Sequence, residues 1–171
     1  GRCRQTGEQL GPGTGEPEQF SCFNDLMQAY RTQVECALDW ITETCRIGHE
    51  IKARQGTKLH RSLLVDDCLE RGLDCSAGGA RYNDGQILTM GLVVVADSLA
   101  AIRTLVFEES LCSMAELLAA LRSNWEGHEQ LRALIRSRAP RYGNGDLRVD
   151  DIAREISGHA WSYLAARPTG R

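Results

Sequence analysis

The sequence predicts a mostly α-helical segment with one buried strand near residues 86–95, and three observations carry that expectation. From Ser21 onward apolar residues recur at steps of three and four, the spacing that lines one face of a helix. One run breaks the rule: Gln86-Ile87-Leu88-Thr89-Met90-Gly91-Leu92-Val93-Val94-Val95 is mostly apolar without alternation, as expected of a strand covered on both faces. The 171 residues, 42% hydrophobic and 25% charged, suffice for a core of ordinary size.

Residues 1–20 hold two of the four prolines and read as an irregular opening segment with turns at Gly11-Pro12-Gly13 and Gly15-Glu16-Pro17. Residues 21–171 then read as helices around the one strand. Phe23, Met27, Tyr30, Val34, Ala37, Ile41 and Cys45 form a helical stripe that runs to about Ile51, with Ser21 as N-cap and Arg31, Glu35, Asp39 and Glu43 on the polar side. A second helix is expected from about Leu59 to Arg71, stopped by Gly72, a residue suited to the left-handed position after a helix. Cys75-Ser76-Ala77-Gly78-Gly79-Ala80 is a small-residue bend. After the strand, Asp97 is a candidate N-cap, and Leu99, Ile102, Leu105 and Val106 continue as a helix to about Glu109.

Ser113-Met114-Ala115-Glu116 has the form of a capping box, in which the hydroxyl accepts from the backbone N–H three residues on and the Glu reaches back. Leu117, Leu118, Leu121 and Trp125 mark the face of the helix it starts. A short helix from about Gly127 to Arg138 precedes Pro140, Arg141 to Asp146 form a loop, and Val149 to Leu164 form the last helix, with Asp150 and Asp151 near its positive end. A strand apolar on both faces needs neighbours for its N–H and C=O groups. The sequence offers no good candidates, so either the run is a buried helix or its partners belong to other sequence. Gly1 at the first position and no Met before Met27 lead to the same expectation of a longer chain.

Twenty Lys and Arg against 23 Asp and Glu give a net charge of −3, which leaves no excess to hold a polyanion, so nucleic acid is not an expected partner. The longest apolar run, Leu92 to Ala96, falls far short of the ~20 residues that cross a bilayer. Seven cysteines without a Cys-x-x-Cys pair suit a reducing cytoplasm.

The local motifs are weak. Gly11-Pro12-Gly13-Thr14-Gly15 matches neither glycine-rich phosphate signature. His49-Glu50 opens like a zinc helix, but Ala53 stands where the second His is needed. Asn144, Asp146 and Glu155 fall at calcium-loop positions, but Arg148 and Val149 occupy sites that need a ligand and a glycine. Asp66 and Asp67 point about 100° apart on a helix, so one is expected to pair with a base or cap and the other to face water. Cys75 is the cysteine least obviously packed and hence the candidate nucleophile. No metal site is expected. Gly78-Gly79-Ala80-Arg81-Tyr82-Asn83-Asp84 leads into the apolar run. It reads either as a pocket wall presenting Tyr82, Asn83 and Gln86 or as a tight turn whose Asn and Tyr satisfy backbone groups.

Four blocks in order resemble the pyruvate formate-lyase-like domain of glycyl radical enzymes. They are Ser62-Leu63-Leu64-Val65-Asp66-Asp67-Cys68-Leu69-Glu70-Arg71-Gly72-Leu73-Asp74, Gly78-Gly79-Ala80-Arg81-Tyr82-Asn83, Ala96-Asp97-Ser98-Leu99-Ala100-Ala101-Ile102, and Leu105-Val106-Phe107-Glu108-Glu109. Thr6 to Pro12, Thr14 to Pro17 and Ala139 to Asn144 are similar to the same family. The resemblance implies an α/β parent fold, a ten-stranded barrel surrounded by helices, with residues 1–171 as a partial domain contributing one barrel strand. It implies a thiyl radical on a Gly-Cys-x-Glu cysteine and a stored radical on an Arg-Val-x-Gly-Tyr glycine, installed by an S-adenosylmethionine iron–sulfur activating enzyme. Neither motif occurs in this sequence, so no catalytic residue is expected in it. The two motifs are expected before Gly1 and after Arg171.

By the same resemblance the intact protein is expected to be a cytoplasmic homodimer of anaerobic metabolism. It would cleave a small organic substrate as a dehydratase, C–N or C–C lyase, or decarboxylase, or act as a formate acetyltransferase-like enzyme. The alternative is a non-catalytic helical interaction or scaffold protein derived from the same domain. Many members carry an aromatic-Thr-Gly-Pro-Gln-Gly type stretch where this sequence has Asp84-Gly85-Gln86-Ile87-Leu88-Thr89. Since the family's substrate cavity lies near this stretch, Tyr82, Asn83, Asp84, Gln86 and Thr89 are the candidate cavity residues.

Overall fold

The computed structural model describes residues 2–3, 5–82 and 87–167. They form α1 (Phe23–Gln55), α2 (Leu59–Ser62), α3 (Cys68–Arg71), α4 (Leu92–Ile102), a π-helical turn (Arg103–Glu108), α5 (Met114–Arg122), α6 (Glu129–Arg138) and α7 (Leu147–Ala165), with short 3₁₀ turns at Pro17–Gln19 and Cys75–Ala77. The only β pairing among the described residues is an isolated antiparallel bridge between Arg2 and Gln9. The chain divides into two compact units, residues 1–36 with 89–163, and residues 37–88 with 164–171.

In the first unit Met27, Ala96, Leu99, Ala100, Val149, Ile152, Ala153 and Ile156 form one buried cluster, joining the start of α1 to α4 and α7. Ala96 and Ala100 are 0% and 1% exposed, and such small side chains let helices approach closely enough for the larger ones to interlock. Arg31 pairs with Glu155, and His159 Nε2 lies 3.0 Å from Glu35, which sets α7 parallel to this part of α1. A second cluster, Leu105, Cys112, Met114 and Leu117, gathers the π turn, α5 and α6. The cavity of about 290 Å³ beside it is lined by the same apolar side chains, including Leu105, Leu117 and Trp125.

The expected strand is not formed. Residues 87–90 have no regular structure, Gly91 takes a left-handed φ of +81°, and α4 starts at Leu92. The continuous apolar run hid a helical stripe, because Leu92, Val95, Ala96, Leu99 and Ala100 sit at i, i+3, i+4, i+7 and i+8 and are the residues that meet the core. Leu88, Met90 and Val94 are exposed by 82%, 88% and 69%, so the run is not covered on both faces. A helix closes its own backbone hydrogen bonds, which removes the need for strand neighbours.

Other boundaries also shift. Asp97 lies inside α4 rather than capping it, and its carboxylate accepts from the Tyr142 N–H at 2.7 Å. Ser21 does not act as a hydroxyl cap. Asp25 reaches back instead and accepts from the Ser21 N–H and hydroxyl and the Cys22 N–H. The capping box forms as read, with Ser113 Oγ accepting from Glu116 N–H and the Glu116 carboxylate accepting from Ser113 N–H. The helix expected over 59–71 is split into α2 and α3 by a turn over residues 63–67, at whose end Asp67 adopts φ +72°. Gly72 does close α3 in the left-handed region.

The second unit has a small described core of Cys68, Cys75 and Ala80, with Val65 packed against it. Polar contacts supply much of the rest of its definition, and they surround the candidate segment.

Candidate functional site

The chain from Lys58 to Tyr82 is organised by two aspartates. Asp74 precedes the Cys75–Ala77 turn. Its Oδ2 accepts from the Lys58 N–H and the Ser62 hydroxyl, each at 2.7 Å, and its Oδ1 accepts from the Ser76 N–H at 2.8 Å. Ser62 is 8% exposed, and its oxygen accepts in turn from the Cys75 N–H at 2.9 Å. Three donors on one carboxylate favour its charged form. The Ser62 hydroxyl first, then the Ser76 and Lys58 amides, hold the Asp74 pKa down at about 2.

The Asp74 carbonyl oxygen also accepts from the Ala77 and Gly79 N–H groups at 2.8 and 3.0 Å, closing the bend. The two glycines are used differently. Gly78 supplies a φ of +92° with open space around it, whereas a Cβ on Gly79 would sit 2.1 Å from the Leu73 carbonyl oxygen. Positive φ and close backbone approach, the two things a missing Cβ permits, are therefore each present in this pair.

Asp67 holds the other end. Arg81 Nε donates to both its oxygens at 3.1 Å and Nη2 to Oδ1 at 2.5 Å, while Arg71 Nη2 donates to Oδ2 at 3.0 Å. The Arg81 hydrogen bonds hold the Asp67 carboxyl below its ordinary range. Asp66 is exposed, so the expected division between the adjacent aspartates holds. The Asp67–Arg71 pair has the i, i+4 spacing of a local helical ion pair. Nothing local in the sequence pointed to the Arg81 partner or to the Asp74–Ser62 hub.

Of the candidate cavity residues, Tyr82 and Thr89 are exposed, Tyr82 by 85%. Asn83, Asp84 and Gln86 lie outside the described residues. Cys75 is corrected from candidate nucleophile to core residue, because it is 8% exposed and packs with Cys68 and Ala80. Burial, first among its causes, also pushes the Cys68 thiol up, away from a reactive thiolate.

The remaining motif residues are engaged elsewhere. Asp146 accepts from Arg148 Nε and Nη2 at 3.0 and 2.7 Å, so the would-be calcium ligand holds a guanidinium. Glu50 is paired with Arg46. In the glycine-rich opening, the Pro12 carbonyl and the Thr14 hydroxyl accept from Gln33 Nε2 at 2.7 and 3.2 Å. Among the described residues no group of three or more His, Cys, Asp or Glu side chains could hold a metal. No helix there is long and apolar enough to cross a membrane.

Comparison with known proteins agrees with the blocks around this site. The sequence matches the family described as pyruvate formate lyase-like over residues 1–171. It is 36% identical over 162 residues to trans-4-hydroxy-L-proline dehydratase of Clostridioides difficile, covering 95% of this chain and 20% of that protein. It is 36% identical over 172 residues to (2S)-3-sulfopropanediol dehydratase of Klebsiella oxytoca, covering 100% of this chain and 21% of that protein. The crystal structure of C. difficile hydroxyproline dehydratase with trans-4-hydroxy-L-proline bound matches with a TM-score of 0.93 and 35% identity, over 99% of this chain and 21% of that one. The chain belongs to the pyruvate formate lyase-like family of glycyl radical enzymes. It spans about one fifth of the length of these relatives.

Proposed function

We propose that this chain is one stretch of a glycyl radical enzyme that removes water from, or otherwise cleaves, a small polar organic substrate through a thiyl radical. The observation that carries the reading is the family match along the whole chain, supported by the 0.93 TM-score against a dehydratase with its substrate bound. The parent protein is a barrel enclosed by helices, works as a homodimer in an anaerobic cytoplasm, and receives its radical from an S-adenosylmethionine iron–sulfur activating enzyme.

This stretch fits neither radical carrier. None of its cysteines stands in Gly-Cys-x-Glu and none of its glycines in Arg-Val-x-Gly-Tyr, and Cys68, Cys75 and Cys112 are buried in apolar clusters. No chemical step is assigned to its residues. Its role is to present the segment 82–89 to the substrate cavity, with Tyr82, Asn83, Asp84, Gln86 and Thr89 as the contacting side chains. The Asp74 hub and the closed Gly78–Gly79 bend provide a rigid base for that segment, and such preorganisation lets a binding residue contribute without first being ordered.

The test uses the full-length protein, prepared without oxygen and treated with an activating enzyme and S-adenosylmethionine. The reading expects the electron paramagnetic resonance signal of a glycyl radical and turnover of trans-4-hydroxy-L-proline or (2S)-3-sulfopropanediol. Thr89→Ala and Gln86→Ala should raise KM for that substrate. No radical signal under conditions that activate a known glycyl radical enzyme would sink it.

A further inference from the structure

We propose that the cavity walled by α4, α5 and α6 is a binding site for a small apolar carboxylate, a ring or short alkyl chain ending in one carboxyl group. The site lies wholly within the first unit and does not depend on the functional reading above.

The cavity of about 290 Å³ is walled by Ala101 and Ile102 of α4, Leu105 of the π turn, Leu117 of α5, Ile135 of α6, and Trp125. An apolar cavity of roughly 150 Å³ already holds benzene, so this one has room for a ring and a short chain. Its charged lining consists of Asp97, Arg136 and Arg141. Sites for small ligands combine such an apolar wall with a few polar groups that fix orientation.

The charge at the rim selects an anion. Residues 132–141 hold four arginines and no acidic residue, in a chain of net charge −3. Arg136 and Arg141 are exposed, and among the described residues neither has a carboxylate partner. Arg31, Arg46, Arg71, Arg103 and Arg148, by contrast, are each ion-paired. Arg141 Nη2 lies 3.5 Å from the Arg136 carbonyl oxygen, which brings the guanidinium of one to the main chain of the other. Asp97, the one carboxylate of the lining, is already engaged, because it accepts from the Tyr142 N–H at 2.7 Å. A carboxylate from a ligand is the partner that suits the two remaining guanidiniums.

The backbone that carries Trp125 supports a ligand in the cavity. Asn124 and Trp125 have φ of +51° and +73°, and for a residue as bulky as Trp the left-handed region is rare and costly. The Trp125 N–H donates to the Ala120 carbonyl at 2.7 Å, a contact after a helix end that a glycine would make without strain. An indole at this position forms part of the cavity wall instead, and retained strain of this kind clusters where ligands are held. A molecule seated there touches α4, the π turn, α5 and α6 together, so occupancy should stabilise their mutual packing.

The test uses the full-length protein without radical activation and hydrocinnamate as the probe. Titration calorimetry should give a Kd at or below about 1 mM, and hydrogen exchange should slow over residues 117–125 and 135–141. Hydrocinnamyl alcohol, which lacks the charge, should bind about tenfold more weakly, and hydrocinnamylamine should not bind measurably. Arg136→Gln and Arg141→Gln should each weaken hydrocinnamate about tenfold, the loss expected when a hydrogen bond between charged groups is removed, and should leave the alcohol unchanged. Leu121→Trp, which fills the cavity from a position 48% exposed, should abolish binding of both. Arg46→Gln, in an exposed α1 pair, should change none of these.

Absence of hydrocinnamate binding to the full-length protein overturns the proposal. So does equal affinity for the acid and the alcohol, or binding that survives loss of both arginines, since the acid then sits elsewhere. Binding of an acetylated Phe-Asp-Asp peptide without binding of hydrocinnamate would assign the rim to a protein partner and refute a small-molecule site. Exchange protection in α7, outside the cavity lining, should match wild type in every variant. If Leu121→Trp loses that protection, the two arginine variants decide.

Discussion

Gly79→Ala tests the architecture of the candidate site most directly, because the structure states what a single added methyl meets. The Cβ would lie 2.1 Å from the Leu73 carbonyl oxygen, 2.8 Å from its carbon and 3.0 Å from the Asp74 carbonyl oxygen. All three are backbone atoms, so no side chain can swing aside. To reach ordinary contact the bend must open by roughly 1 Å, which stretches the Gly79 N–H to Asp74 bond, now 3.0 Å. Overpacking of this kind costs about 1–3 kcal/mol, and the weakened hydrogen bond adds about 1 kcal/mol.

The variant should therefore lose about 2–4 kcal/mol of local stability, a fall of roughly 30- to 1,000-fold in hydrogen-exchange protection at the Ala77 and Gly79-position amides of the full-length protein. Gly78→Ala is the matched control. Its methyl meets open space, but φ is +92°, so the cost is only the left-handed penalty of about 1–2 kcal/mol. Equal protection in Gly79→Ala and wild type, or a larger loss in Gly78→Ala, would show that the close approach to Leu73 does not hold the bend.

Three further outcomes follow from the same contacts. Asp74 is depressed from its ordinary 3.8 to about 2, so its charged form is favoured by the fold. The stability it gives is present above about pH 4 and is lost as pH falls toward 2. Normalised exchange protection over residues 74–79 should drop across that window in wild type and stay low and flat in Asp74→Asn. Ser113→Ala removes a cap hydroxyl from α5 and should cost about 1 kcal/mol, read as a selective loss of protection at the Glu116 amide. Ile152→Ala, at a position 2% exposed in the main cluster, should cost about 2–5 kcal/mol, seen as a lower denaturant midpoint for the α7 amides.

Local chemistry was legible wherever its partners were near in sequence. The stripe from Phe23 to Cys45, the Ser113–Glu116 capping box and the Gly72 helix stop lie within a few residues of the groups they serve, and all three form. The misread elements have causes that spacing does not report. At 86–95, periodicity could not choose between strand and helix because nearly every position is apolar. The choice falls to Gly91, whose left-handed turn starts α4. At 59–71 the pattern ran unbroken, whereas the helix stops at Ser62 and resumes at Cys68 after a turn that ends in the left-handed Asp67. Cys75 looked exposed because it sits in a glycine-rich bend. It is buried because Ser62 draws its amide inward and Cys68 packs beside it.

The limit on reading the site is physical and can be located in the second unit. Its described core is three small residues, far too few to define a loop of this length by burial alone, so Asp74 and Asp67 fix the backbone through charge-assisted hydrogen bonds. Over the same stretch Leu59, Leu63, Leu64 and Leu69 are exposed by 70%, 58%, 88% and 68%. Hydrophobic content adequate for a core is therefore present but turned outward, and composition arithmetic counts it as if it were turned in. On the proposed reading these leucines face other parts of a much longer protein, while the aspartates hold the segment before that cover is in place. The division of labour predicts opposite sensitivities. Polar substitutions such as Asp67→Asn should disturb residues 71–81 with or without the covering sequence, whereas Leu64→Ser should be felt only when that sequence is present.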